Sequence, residues 1–324
     1  MDDQAKKLRE LAQRIREERG RESLIIDPIK KPEKILLDGS ITPETKNQDS
    51  LIHRTNNTRI IAISSGKGGV GKSNLVVNLG IALAMRSKKV AILDADLGLA
   101  NIDVLLGINP KYNLQHLVDG KKTVHEILLD GPHAIKVVPG GSGIPELANL
   151  SDDKQQKIIE DFVELDSEAD IALIDTGAGI SKNVIAFILA AREAIIITTP
   201  EPTAITDAYG LIKVITQRDI DVDMKIVVNM VSSEKEGQEI AGRIVIATRQ
   251  FLNKRIEVLG YITSDGSVNA SVRRQKPFIL EYPGARASRC IKQIAASLDI
   301  TNGDDMHLAN RNGFRGFLSR LFER

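Results

Sequence analysis

The 324-residue chain is 42% hydrophobic and 27% charged, a balance that allows a full buried core and excludes a wholly disordered protein. Its 44 Lys and Arg against 43 Asp and Glu leave a net charge of +1, so no whole-molecule field draws nucleic acid, and any basic surface has to be local. Cys290 is the single cysteine, which excludes an internal disulfide and any CxxC metal or cluster site within one chain and agrees with a reducing cytoplasm.

The opening residues, MDDQAKKLRELAQ, are charged, and no stretch approaches the ~20 apolar residues of a spanning helix, so neither a secretion signal nor a membrane span is expected. Leu8, Leu11 and Ile15 recur at helical spacing and predict a short amphipathic helix within residues 1–20. Residues 21–58 are polar and carry Pro28, Pro32 and Pro43 without a sustained period, the pattern of a tether. From Arg59 short apolar runs alternate with helix-length segments. The runs at 60–64, 90–93, 135–138, 171–174, 194–198, 225–228 and 258–262 predict strands buried on both faces, with helices at 73–85, 152–165, 203–217 and 238–252. Strand alternating with helix predicts an α/β fold, a doubly wound and mostly parallel sheet over 59–298 whose ligand sits at the carboxyl ends of the strands. A polar linker at 299–312 and a final helix at 313–324 complete the chain.

The chemistry is concentrated at three strand ends. Gly66, Lys67, Gly68, Gly69, Val70, Gly71, Lys72 and Ser73 satisfy GxxxxGK[ST] between a strand pattern and a helix pattern, the context that a phosphate-binding loop requires. Such a loop turns backbone N–H groups toward phosphate oxygens, with Lys72 reaching the terminal phosphates, Ser73 a ligand of Mg²⁺ and Asn74 next in the nucleotide site. A glycine-rich surface turn is the bland alternative. Asp94 and Asp96 follow the second strand, and Asp175 follows the fourth. Carboxylates at neighbouring strand ends converge on the loop, where they can hold the water shell of Mg²⁺ or orient an attacking water. Each alone is also an ordinary turn cap.

Lys67 at the second loop position, with KGGVGKS, DADLG and DTGAG, resembles the MinD/ParA group of ATPases with a deviant Walker A loop, over about 59–298. The resemblance implies ATP and Mg²⁺ as cofactors, ATP hydrolysis to ADP and phosphate, and a homodimer closed around the nucleotide. It places Lys67 across that dimer on the partner's phosphates, adding positive charge where the transition state accumulates negative charge. A solvated loop lysine is the alternative. It implies Asp96 as the carboxylate that positions water, Asp94 as a support near the metal, Asp175 as the Walker B acid and Asn229 as the reader of adenine. The family usually has a proline in the segment that matches residues 261–265, where this chain has YITSD, so the backbone contacts around Thr263 and Ser264 depart from the pattern.

Asp3, Gln4, Ala5, Leu8 and Arg9 stand in DQAKKLR, which is similar to the DQAxxLR element of the FlhG family, also called YlxH or FleN; 137–151 and 198–213 resemble the same family. That resemblance implies stimulation of the GTPase FlhF, contacts with flagellar switch (C-ring) proteins, and control of flagellar number or placement from the inner face of the membrane, a polar position included. At the other end Phe314, Phe317, Leu318, Leu321 and Phe322 fall at i, i+3, i+4, i+7 and i+8, with Arg311, Arg315, Arg320 and Arg324 off that stripe. This is the pattern of a helix lying in the plane of an anionic membrane; a helix docked on the chain's own surface satisfies it equally. One such tail binds weakly, and two on an ATP-bound dimer gain ~10²-fold or more through effective concentration. A MinD-type division regulator and a ParA-type DNA-segregation ATPase remain alternatives. The near-zero net charge disfavours nucleic acid, and the lone Cys290 disfavours the iron–sulfur relatives, which need paired cysteines.

Overall fold

The computed structural model describes residues 58–96, 101–141, 150–300 and 313–323. Strand β1 (Arg59–Ser65) enters the phosphate loop, which opens helix α1 (Lys72–Ala84). Then follow β2 (Val90–Ala95), short helices α2 (Ile102–Leu106), α3 (Leu114–Val118) and α4 (Val124–Ile127), β3 (Leu129–Asp130), β4 (Lys136–Val138) and α5 (Asp152–Val163). The second half alternates β5 (Ile171–Ala178), α6 (Lys182–Ala191), β6 (Glu193–Thr198), α7 (Pro202–Arg218), β7 (Asp223–Val231), α8 (Glu234–Leu252) and β8 (Glu257–Thr263). Helices α9 (Gly266–Arg273), α10 (Phe278–Glu281), α11 (Arg286–Ile300) and α12 (Gly313–Phe322) follow.

The strands form one eight-stranded sheet in the order β3-β4-β2-β5-β1-β6-β7-β8. Every pairing is parallel except β3 with β4. All seven expected strands are present. The eighth, β3, is a two-residue antiparallel edge that carries no period to read. Both faces of the sheet are covered, which is why β1, β2 and β6 read as unbroken apolar runs. Ile61, Ile63 and Leu173 pack under α1 and α11, while Ala62, Ile174 and Ile196 pack under α5, α6 and α7. Helix α6 begins where the Ser181 hydroxyl accepts the Val184 N–H at 3.3 Å. Helix α11 runs to Ile300, two residues beyond the expected domain end at Leu298.

The terminal helix is where the exposed-stripe expectation needs correcting. Helix α12 exists, but its stripe belongs to the core: Phe314, Phe317 and Leu318 are 1%, 0% and 3% exposed, and Leu321 and Phe322 pack against the same cluster half-buried. The Phe314 ring lies 5.5 Å from Phe162 on α5, and the Phe317 ring lies 6.1 Å from Phe187 on α6. Polar contacts fix both ends, the Phe314 N–H donating to Asp166 at 3.0 Å and Arg320 Nε donating to the Ala190 carbonyl at 2.8 Å. Fully burying three large apolar side chains is worth on the order of 5–9 kcal/mol before the entropy of ordering ten residues is set against it. The bulk apolar face therefore docks on the chain's own domain. The DQAKKLR residues Asp3, Gln4, Ala5, Leu8 and Arg9, the tether at 21–58 and the linker residues 301–312 lie outside the described residues.

Candidate nucleotide site

The phosphate loop forms at the carboxyl end of β1, at the switch point where β5 and β6 flank β1 on opposite sides. Gly71, the residue before α1, has φ +90°, and a Cβ there would fall 2.4 Å from the Asn229 amide nitrogen, so only glycine fits. The loop borders a cavity of about 550 Å³ lined by every residue from Gly68 to Asn74, by Asp96, and by Asn229 and Thr263–Asp265. Gly66 and Lys67 are not among the lining residues.

The acidic groups divide by environment. Lys72 Nζ lies 2.5 Å from Asp175 Oδ1 and 3.9 Å from Asp96 Oδ2, so the loop lysine is already seated among the expected carboxylates. Asp175 is fully buried, and burial raises its carboxyl above the ordinary range against the pull of Lys72 and Ser73. Its other oxygen, Oδ2, has no hydrogen-bond partner among the described residues. Such an orphan is costly unless a water or ion completes it. Asp94 differs. It is 1% exposed and does not line the cavity. Oδ1 accepts the Asp96 N–H at 3.1 Å, and Oδ2 accepts the N–H groups of Asn101 and Ile102 at 3.2 and 3.4 Å. Burial first, then the Asp175 carboxylate paired with it across β2 and β5, raises Asp94 to about 7. Both oxygens of Asp94, expected as a support near the metal, thus accept from backbone amides.

Mg²⁺ fits what remains. The Ser73 hydroxyl and Asp96 carboxylate line the cavity, and the buried Asp175 Oδ2 is unsatisfied. Among the described residues no group of three or more His, Cys, Asp or Glu could hold a metal by itself. That donor set suits a hard cation that keeps most of its water and leans on phosphate oxygens. Bound there, the ion would neutralise charge on the transferring phosphoryl group.

Asn229 is half-buried near the end of β7, and its amide nitrogen donates to the Val70 carbonyl at 2.8 Å. That bond fixes the amide and leaves its oxygen to accept from an exocyclic amine, as an adenine reader requires. Lys67 is turned along its own chain: Nζ lies 2.6 Å from Glu201 Oε2 and 3.2 Å from Thr203 Oγ1 at the start of α7. The residues that the sequence did not point to are the apolar lining residues Val104, Leu105, Val268 and Val272 and the Glu201 partner of Lys67. Only Glu201 had a signal, a carboxylate and proline opening a helix in TTPEPT.

Comparison with known proteins agrees with this geometry. Residues 56–299 match the family model described as ParA, NUBPL iron-transfer P-loop NTPase. The antiactivator FleN of Pseudomonas aeruginosa is 37% identical over 74% of this chain and 86% of its own. The flagellum site-determining protein YlxH of Helicobacter pylori is 34% identical over 86% of this chain and 94% of its own. Among solved structures, the MinC:MinD cell division complex of Aquifex aeolicus superposes with a TM-score of 0.60 at 27% identity, covering 75% of this chain and 96% of that one. MinD of Pyrococcus horikoshii, solved with Mg-ADP, shares the fold with a TM-score of 0.61 at 22% identity. With the phosphate loop, the Lys72–Asp175 pair and these relatives in agreement, the chain belongs to the MinD/ParA family of P-loop ATPases, in the group that contains FleN and YlxH.

Proposed function

We propose that this protein is an ATP-driven switch that closes as a homodimer around Mg·ATP, associates with the inner face of the membrane, and regulates the number or placement of flagella. The observation that carries the reading is the seating of Lys72 among Asp175 and Asp96 beside a cavity that the phosphate loop and Asn229 line together. Lys72 and the loop amides bind the phosphates, Ser73 and Asp175 hold the hydrated ion, and Asp96 positions the water that attacks the terminal phosphate. Lys67 acts from the partner chain, after leaving Glu201. The names of FleN and YlxH support the flagellar role.

The membrane step uses α12, and the docked helix gives that step a condition. Its apolar stripe has to leave the α5–α6 groove before it can meet lipid, so membrane residence requires a state that weakens the groove or strengthens avidity. Closure of the dimer supplies the second. Stimulation of an FlhF-type GTPase by Asp3, Gln4, Ala5, Leu8 and Arg9, and contact with C-ring proteins, complete the proposal. The test is GTP hydrolysis by FlhF with and without a peptide of residues 1–20: stimulation supports the FlhG reading, and its absence favours a MinD-type division regulator. Vesicle flotation beside DNA retardation, each with ATP, separates both from a ParA-type role, which expects salt-sensitive DNA binding.

A further inference from the structure

Among the described residues Asp94 accepts from three backbone amides, and those amides stand on either side of one short stretch of chain. Asp96 lies before residues 97–100, Asn101 and Ile102 after them. One carboxylate therefore holds both ends of the segment that begins with the proposed water-positioning residue. A third element closes over it. Gly140 follows β4 and lies so near that a Cβ there would fall 2.7 Å from the Asp94 carbonyl oxygen and 3.1 Å from its carboxyl carbon. The glycine of the PGG motif lets this backbone lie directly on the carboxylate, with no side chain between.

From this geometry we infer that Asp94 is a positioning residue, not a metal ligand: by tying Asn101 and Ile102 to Asp96 it fixes the Asp96 carboxylate beside Lys72, and Gly140 holds it in place. The inference rests on the proposed role of Asp96. It assigns Asp94 to the rate of hydrolysis rather than to nucleotide affinity, because Asp94 does not itself line the cavity and acts on it only through the backbone of Asp96 and Asn101. A carboxylate displaced by about 1 Å lowers a rate by up to ~10²-fold.

The test uses the full-length protein. Asp94→Ala removes both ties and is expected to lower kcat by ~10- to 100-fold, with KM for ATP and the Mg²⁺ concentration for half-maximal activity each within ~2-fold of wild type. Asp94→Asn keeps one carbonyl oxygen and hence one tie, so its kcat falls between the two. Gly140→Ala leaves Asp94 in place but presses on it, and is expected to reproduce the loss. Amide exchange in nucleotide-free protein gives a readout independent of turnover: the Asn101 and Ile102 amides exchange ~5-fold faster or more in Asp94→Ala. Unchanged kcat in Asp94→Ala, unchanged exchange at those amides, or equal losses in the Asn and Ala variants with a raised Mg²⁺ requirement would each overturn the inference. If Asp96→Ala turns over normally, the reading of Asp96 fails instead, and the exchange experiment still reports on the tie.

Discussion

Lys67 Nζ sits 2.6 Å from Glu201 Oε2 within the same chain, so the lysine proposed to act on a partner's phosphates is engaged at home in this state. The pair is exposed, with side chains 41% and 64% accessible, and such pairs hold by no more than about 1 kcal/mol. Lys67 is therefore restrained but not locked. Its departure adds little to the energetics of closure.

That arrangement predicts a separation of binding from turnover. Lys67→Ala is expected to bind ATP within a few-fold of wild type, because Lys67 does not line the cavity, and to lose ~10³-fold or more in turnover if it acts as a charge supplied in trans. Nucleotide titration beside steady-state hydrolysis measures both. Loss of binding with turnover per bound nucleotide preserved would place the lysine in the wrong role.

The docked terminal helix predicts that its groove controls membrane binding. Phe187→Ala empties the α6 side of the contact with Phe317, and a buried Phe truncated to Ala costs about 3–5 kcal/mol. Part of that loss weakens docking, so vesicle flotation in ADP is expected to rise above wild type, while deletion of 313–324 abolishes flotation in every nucleotide state. A groove variant that floats no better than wild type would show that release of the helix does not limit membrane binding.

Asp94 predicts a pH dependence of stability. Its carboxyl stands at about 7 in the fold against 3.8 for the unperturbed group, so the folded state holds the proton over a range where the unfolded state has lost it. The stabilisation is full below about pH 4 and is lost as pH rises through 7. Replacing the group with Asn removes that dependence. The melting temperature of nucleotide-free Asp94→Asn should gain on wild type steadily from pH 5 to pH 8, and parallel melting curves for the two proteins would contradict the assignment.

Most of the frame was legible because both faces of the sheet are covered, which turned the central strands into uninterrupted apolar runs and left GKGGVGKS at a strand end. The site's acids were legible as a set, since Asp94, Asp96 and Asp175 each come directly after an apolar run, although Asp94 and Asp175 prove to be paired residues within β2 and β5. Their division of labour was not. It depends on Asn101, Ile102 and Gly140 coming over Asp94, and on Lys72 reaching Asp175 across 103 residues of sequence. The tail shows the limit most plainly. A stripe of Phe314, Phe317 and Leu318 is the same pattern whether it meets lipid or Phe162 and Phe187, because periodicity records that a face is apolar and not what covers it.

Closure of two copies around Mg·ATP is read from the mass of Asp96→Ala in solution by light scattering, with saturating Mg·ATP and with ADP. The variant removes the carboxylate proposed to position water while leaving Lys72, Ser73 and Asn229, the proposed nucleotide-binding residues, in place. A dimer with ATP and a monomer with ADP is the predicted result, with the dimer accumulating on vesicles. A protein that stays monomeric with ATP while hydrolysis is blocked would contradict the account.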